Sequence, residues 1–408
     1  MAAKSPKRSS TASRRDAAKR VAGLSDPAGP KGAGPRPQDG NGRVSAGTAH
    51  PARIPTMQDI ADASGVSQST VSRVLTGAAN AIPINPATRE RILEVARQMR
   101  YRPNPLARGL RGARTMLLGV IVREITDPFF AGAVDAISTE ANRRGYNVVL
   151  GDAHGRTDEA IALRAVLETR HCDAIVLLGD TSDQPRLMED LRDISFPVVG
   201  LWQGTSSMSG ISIIGVDNNF GVDLLMDHLL GLGHRKIAFI GGVFVEGRLI
   251  GDIGERRVAF LERAAAEGLE TPDGFVRDAR NTLGGGAGAL EALMALPERP
   301  TAIVASTDVL AIGTLHAACH MGLDVPGEIS VVGFDDLPMA EYTTPALTTI
   351  RMPMAEMAAA GVKAAVGEDG DREPMTLQLF KPTIVVRESS GPAPDRGGSV
   401  TTFPGKPR

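Results

Sequence analysis

TMQDIADASGVSQSTVSRVLT, residues 56–76, holds two short helical patterns on either side of Ser64-Gly65-Val66. That is the spacing of a helix-turn-helix. Thr56 can cap the first helix by accepting the backbone N–H of Asp59 while the Asp59 carboxylate reaches back, a capping box. Ile60 and Ala63 then supply the apolar face, and Gly65 permits the tight turn. Ser67 caps the second helix, where Val71, Val74 and Leu75 face inward and Gln68, Ser69, Ser72 and Arg73 face outward. Amides, hydroxyls and a guanidinium on the first turns of such a helix can match donors and acceptors on base edges in the major groove, so the stretch predicts DNA binding. An amphipathic helical hairpin with no nucleic-acid role satisfies the same apolar spacing.

Downstream, Asn85-Pro86 reads as an N-cap followed by proline at the first helical position, and Ile92, Leu93, Val95, Ala96 and Met99 continue a third helix. The prolines of YRPNP, residues 101–105, end it. LARGLRG, residues 106–112, is too short and too basic to hold a helix unaided. Upstream, residues 1–53 carry eleven Lys/Arg against three Asp/Glu, a balance of +8 that leaves −10 for residues 54–408. This segment is rich in Ala, Gly, Pro and Ser and has no apolar h-region, which predicts a disordered basic tail and no secretory signal. Nonspecific phosphate attraction and simple solubilisation explain its charge equally well.

From Met116 the pattern becomes βα alternation: LLGVIV then 130–144, NVVLGD then 157–170, AIVLLG then 184–193, and PVVGLW. A second series runs SIIGVD, 219–232, KIAFIGG, 255–267, FVRD, 286–296, AIVAS, 308–321 and SVVGFDD. Strands apolar throughout are buried on both faces, which predicts two doubly wound α/β lobes with parallel sheets. Such sheets bind ligands beyond the carboxyl ends of their strands, so the cleft candidates are Asp127 to Phe130, Gly151-Asp152, Gly179-Asp180, Trp202, Gly241-Gly242, Ser306 to Asp308 and Phe334-Asp335.

Other classes find little support. At 408 residues the chain exceeds one hydrophobic core, and no apolar run approaches the ~18 residues of a membrane span. Cys172 and Cys319 lack metal or disulfide spacing, so buried reduced thiols in a cytoplasm are expected. Gly284 to Ala289 matches GxGxxA but follows the polar stretch Asp278 to Thr282, which favours a helix-start loop over a dinucleotide site. His316 and His320 have i, i+4 spacing without a third ligand. No nucleophile, acid/base pair, metal cluster or phosphate loop stands out, so neither enzyme activity nor a cofactor or metal is expected.

Headpiece, short basic connector and two α/β lobes occur in the order of the LacI/GalR family of bacterial transcription regulators, which the chain resembles over about residues 55–388. The resemblance rests on DIADASGVSQSTVSRVL, TRERILEVARQMRYRPNPLARGLRG, DPFF, VDNNFGVDLLMDHLLGLGHRKIAFIGG, SVVGFDD and PALTTI. It implies a homodimer on a pseudopalindromic operator, most simply a repressor, whose DNA affinity changes when a small effector, expected to be a carbohydrate, enters the cleft. It places Gln68, Ser69 and Arg73 at base-reading positions and Thr56, Ser67, Thr70 and Ser72 at phosphate-contacting ones. In the connector it adds Asn104, Ala107 and Leu110, with Leu110 as the apolar wedge of the minor groove. Gly109 is unexpected for a helix, and TGAANAIPIN makes the turn before helix three about three residues longer than usual. In the cleft the resemblance implies effector contacts from Phe130, Trp202, Arg256, Thr307 and Asp335. For Arg256 and Asp335 the alternative is an ion pair between the lobes, for Phe130 core packing. Trp202 could stack on a sugar face. Trp202 and Thr307 depart from common family residues, so the ligand cannot be copied from a known member.

The implied organisation is a basic tail at 1–53, a headpiece at 54–102, a hinge at 103–114, a two-lobe effector-binding and dimerisation domain at 115–388 and a disordered tail at 389–408. A cytoplasmic protein, associated with the nucleoid when bound to DNA, is expected. The rival with the same two lobes, an exported solute-binding protein, would need an export signal and would have no use for residues 56–112.

Overall fold

The computed structural model describes residues 55–76, 83–101, 114–153, 172–180, 197–202, 211–242, 244–245, 248–249, 251–269, 271–367 and 377–394. The chain divides into two units at Tyr101/Arg102.

The first unit comprises α1 (Met57–Ser64), α2 (Gln68–Thr76) and α3 (Pro86–Gln98). Its caps are those the sequence implies. Thr56 Oγ1 accepts the Asp59 N–H at 3.3 Å and Asp59 Oδ2 accepts the Thr56 N–H at 2.7 Å. Gly65 takes φ 64 at the end of α1, the left-handed conformation that lets the chain turn at once into α2. Ser67 Oγ accepts from Thr70 N at 3.3 Å, and Asn85 Oδ1 from Ala87 N at 2.9 Å. Ile60, Ala61, Val71, Val74, Ile92 and Ala96 form the core. Ala63, expected in that core, is exposed, and Ala61 and Ser64 are buried instead. At 100° per residue, positions 60, 61 and 64 share one face, whereas 63 falls on the other side of Ile60. Leu93 is exposed for the same reason, because the buried stripe of α3 runs through Ile92 and Ala96. In so small a core, Ile60→Ala is expected to cost roughly 2–5 kcal/mol and melt the headpiece. Circular dichroism should then show partial loss of helix with the larger unit's transition unchanged.

The second unit contains β1 (Leu117–Val122), α4 (Pro128–Arg143), β2 (Asn147–Asp152), β3 (Ala174–Leu178), β4 (Val198–Leu201), β5 (Ser212–Val216), α5 (Asn218–Gly231) and β6 (Ile237–Ile240). A hairpin of β7 (Phe244–Val245) and β8 (Arg248–Leu249) leads to α6 (Gly251–Ala266), β9 (Val276–Arg277), α7 (Leu283–Met294), β10 (Ala302–Ala305), α8 (Asp308–His320) and β11 (Ser330–Asp335). A 3-10 turn at Pro338–Tyr342 precedes β12 (Thr348–Arg351), α9 (Met354–Val366), β13 (Leu377–Phe380) and β14 (Thr383–Val385).

Two six-stranded sheets result, ordered β13-β5-β4-β3-β1-β2 and β14-β12-β11-β10-β6-β9. The first is parallel throughout, and the second carries β14 as an antiparallel edge on β12. β3 and β11 are buried at every residue. β2 is not, because as an edge strand it leaves Leu150 exposed. SIIGVD, expected to open the second lobe, instead closes the first. β5 pairs with β4 in the register Val199↔Ser212. β13 then adds beside β5 after the second sheet has been built, and α9 packs on α4 and the first sheet. The chain therefore crosses between lobes three times, after β5, after β12 and between β13 and β14.

α7 starts at Leu283, earlier than the predicted 286, because Thr282 caps it by accepting from Gly285 N at 3.0 Å. The glycine run lies inside this helix and not in a loop. A Cβ at Gly286 would lie 2.1 Å from the Leu310 carbonyl oxygen, so this glycine lets α7 and α8 approach closely. Cys172 is buried, with its thiol pushed up to about 11 by desolvation and the nearby Asp173 carboxylate. Cys319, expected to be buried, is exposed on the solvent face of α8 beside His316 and His320. No helix among the described residues is long and apolar enough to cross a membrane.

Candidate functional site

Two sites are built from these elements, the first on α2. Gln68 and Ser69 are exposed at its start, and Ser72 and Arg73 are half-buried one turn on. Ser67 Oγ lies 2.8 Å from both Ser69 Oγ and Thr70 Oγ1. Arg73 is laid back along the helix, donating through Nη2 to Thr70 Oγ1 at 3.3 Å and through Nε to the Ser69 carbonyl at 3.4 Å. This polar ladder holds the guanidinium in place before any ligand arrives. Thr56, at the start of α1, spends its hydroxyl on Asp59, accepting from the backbone and donating to Oδ2 at 2.7 Å. Asn104, Ala107 and Leu110 lie outside the described residues, as do Arg108, Gly109, Arg111 and residues 77–82 of the long turn.

The second site is a cavity of about 290 Å³ in the two-lobe unit. The first lobe lines it with Asp127, Phe129 and Phe130 beyond β1, Gly179-Asp180 beyond β3 and Trp202 beyond β4. The second lobe contributes Asp252 and Arg256 from α6, Arg280 and Asn281 beyond β9, Thr307 beyond β10 and Asp335 at the end of β11. All five cleft candidates, Phe130, Trp202, Arg256, Thr307 and Asp335, thus line one space. Gly151-Asp152 and Gly241-Gly242 do not line it. Asp308 is turned away, accepting from Leu337 N at 2.7 Å and from Thr349 Oγ1. Burial pushes its carboxyl up to about 6.

Arg256 organises the second lobe's wall. It is 3% exposed and donates through Nε to Asn218 Oδ1 at 2.9 Å and through Nη1 to the Ser306 carbonyl at 2.6 Å. The same Nη1 reaches Asp335 Oδ1 at 3.2 Å, and the guanidinium lies 3.7 Å over the Phe334 ring. Arg256 and Asp335 do form an ion pair, but within the second lobe and not between lobes, because α6 and the end of β11 meet on the same sheet. Burial pushes the Asp335 carboxyl well above the ordinary range although Arg256 pulls the other way, and Asp308 and Asp127 push it further. Asp252 is pushed up to about 6 by burial, against the pull of Arg256 and of the hydrogen bond from Asn218. Asn218 is a hub: its Nδ2 donates to Asp252 Oδ1 and to Glu255 Oε2, both at 2.8 Å.

The lobes are joined across the cavity by side chains. Asp127 caps α4 through Oδ1, which accepts from Phe129 N at 3.0 Å, and its Oδ2 accepts from Asn281 Nδ2 at 2.9 Å. Asn281 Oδ1 in turn accepts from Thr307 Oγ1 at 2.6 Å. Asp127 is legible in the sequence as a rim residue, whereas its capping role emerges only because the helix starts at Pro128 and not at 130. Asn281, Asp252 and Arg280 escape sequence reasoning, since nothing local to them signals a tertiary partner.

Trp202 differs from expectation. It adopts φ 56 and is 2% exposed, with Phe129 packed edge-on against the indole at 5.3 Å between ring centres. The ring has no open face for a sugar to stack on. Phe130 is buried against Phe129 in the same cluster, so core packing and cavity lining coincide there. The His316 and His320 rings lie 4.4 Å apart on α8, and no group of three or more His, Cys, Asp or Glu among the described residues could hold a metal ion.

Residues 56–104 match the family model described as bacterial regulatory proteins, lacI family, and residues 226–390 match that of a periplasmic binding protein-like domain. The HTH-type transcriptional regulator MalR of Streptomyces coelicolor is 34% identical over 352 residues, covering 84% of this chain and 98% of MalR. Catabolite control protein A of Priestia megaterium is 31% identical over 310 residues, 76% of this chain and 90% of the relative. Among solved structures, the complex of the transcriptional regulator CelR with cellobiose is 28% identical with a TM-score of 0.60, covering 82% of this chain and 100% of that one.

Proposed function

The chain belongs to the lacI family of bacterial regulatory proteins, and from that premise we propose that it is a sequence-specific transcriptional regulator, acting as a homodimer on a pseudopalindromic operator and controlled by a small effector held between its two lobes. One observation carries this reading. A capped helix-turn-helix with polar groups exposed at the start of its second helix is joined, in one chain, to a two-lobe unit whose cavity holds a buried arginine and carboxylate. Gln68, Ser69 and Arg73 read bases, while Thr56, Ser67, Thr70 and Ser72 face phosphates. Asn104, Ala107 and Leu110 act in the connector, with Leu110 wedging the minor groove. Repression is the expected sign, and a carbohydrate is the expected effector class, in keeping with the cellobiose bound to CelR. The protein has no catalytic role in this reading and works in the cytoplasm.

Allosteric control follows if the effector binds one interlobe arrangement better than another, since a ligand shifts an equilibrium only by its differential affinity. The bridge from Asp127 through Asn281 to Thr307 is one contact that such a shift would make or break.

Selection of DNA from a random pool by the full-length chain tests the reading. Enrichment of an inverted repeat, with affinity falling steeply as salt rises because bound phosphates release counterions, is the expected result. A pool that stays random across salt concentrations, with and without added sugars, would overturn it.

A further inference from the structure

The composition of the cavity restricts what can fill it. Carboxylates outnumber guanidiniums among its lining residues by five to three. Two of the guanidiniums are already turned to protein oxygens, Arg256 to Asp335 and the Ser306 carbonyl, Arg123 to the Asp180 carbonyl. The third, Arg280, is exposed at the rim, where water and salt screen it. An anion entering the cavity would give up its hydration, meet one buried and one half-buried cation that are already engaged, and face an excess of acidic groups.

Trp202 adds an independent observation. Among the described residues its Nε1–H has no acceptor, although the side chain is 2% exposed and lines the cavity. Its φ of 56 lies in the left-handed region, which a bulky residue rarely occupies. A buried donor without an acceptor and a strained backbone are both costly, and their coincidence on the wall of a cavity is the pattern of a group held ready for a ligand.

We infer that the effector, on the reading of this cavity given above, is an uncharged molecule that presents a hydrogen-bond acceptor to Trp202 Nε1, and that this bond sets specificity. The indole contributes its N–H edge and not its face. An analogue lacking the acceptor leaves the donor buried and unpaired, and sites built around a hydrogen bond reject such analogues strongly.

The test titrates full-length protein with galactose, maltose, cellobiose and hypoxanthine, and with galacturonic acid and the phosphate esters of the three sugars. Melting temperature and the emission of the chain's one tryptophan are read together. A neutral member should bind and shift the emission, and its charged counterpart should bind at least about tenfold more weakly. Trp202→Phe keeps a ring in place but removes the chain's one tryptophan, so its binding is followed by melting temperature alone, and it should weaken that neutral member about tenfold. The inference is overturned if a charged member binds as tightly as its neutral counterpart, if no neutral member binds, or if Trp202→Phe leaves affinity unchanged. Asp335→Asn separates this failure from failure of the cavity reading. Binding weakened by Asp335→Asn but indifferent to Trp202→Phe sinks only the role of the indole, whereas indifference to both places the ligand elsewhere. Should Trp202→Phe fail to fold, the comparison of neutral and charged members on the parent protein still decides the charge of the effector.

Discussion

Arg256→Ala is expected to abolish the response to effector and to destabilise the two-lobe unit by roughly 3–5 kcal/mol, the range seen when one partner of a buried ion pair is removed. Three oxygens would lose their donor together: Asn218 Oδ1, the Ser306 carbonyl and Asp335 Oδ1. Each acceptor left buried without a partner costs about 1–3 kcal/mol, which would overshoot that range if Asp335 stayed charged. It need not, because burial already pushes its carboxyl well above the ordinary range and loss of the guanidinium removes the main opposing influence. The variant should therefore carry a pH signature. A carboxyl whose proton affinity is raised by folding gives its full stabilisation below its unfolded value of ~3.9 and loses it as pH rises through the folded value. The deficit of Arg256→Ala in urea unfolding should shrink as pH is lowered from neutral. Arg256→Lys should fall between parent and alanine variant, since one ammonium cannot reproduce the planar fork that serves Nε and Nη1 acceptors together. An alanine variant with parental stability and parental sugar response would show that the buried pair neither supports the lobe nor touches the ligand.

What can be read from the sequence is what depends on neighbours a few residues apart. The Thr56/Asp59 capping box and the Asn85-Pro86 helix start are local devices, and both form as the sequence implies. Phe130, Trp202, Thr307 and Asp335 can be nominated from strand ends, whereas Arg256, inside a helix pattern, is singled out only by the family resemblance. Where the structure departs from the sequence pattern, the cause is a tertiary choice. β5 looks the same whether it pairs with β4 or opens a new sheet, and only the Val199↔Ser212 register decides. Asn281 gains its role from Asp127, 154 residues away, through a hydrogen bond no spacing rule anticipates. Ala63 and Leu93 are apolar residues within one position of the true stripe, a displacement that periodicity over a single short helix resolves poorly. At Trp202 the aromatic identity is informative but the burial is not, because the packing partner, Phe129, belongs to the segment after β1.

The second large effect is expected at the other end of the chain, where Arg73→Ala should lower affinity for the selected operator about 10–100-fold, the ~1–3 kcal/mol carried by a good bidentate contact to a base edge. Arg73 is suited to this because its Nε and Nη2 are braced on the Ser69 carbonyl and Thr70 Oγ1, so less side-chain freedom is surrendered when the remaining donors meet a base. Affinity for unrelated DNA should fall far less, because base-edge contacts contribute nothing there. The salt dependence separates the two roles open to a guanidinium on this helix. If Arg73 sits on a phosphate, its removal reduces the slope of log affinity against log salt by about 1 and weakens all sequences alike. If it sits on a base edge, its removal leaves the slope nearly unchanged and relaxes preference at one position of each half-site. Effector affinity should stay within a few-fold of the parent, since Arg73 lies in the headpiece and the cavity in the two-lobe unit. Repeating the DNA selection with Arg73→Ala decides the matter: an unchanged consensus with uniformly weaker binding would move Arg73 to the phosphates and leave Gln68 and Ser69, exposed one turn earlier, as the residues that read sequence.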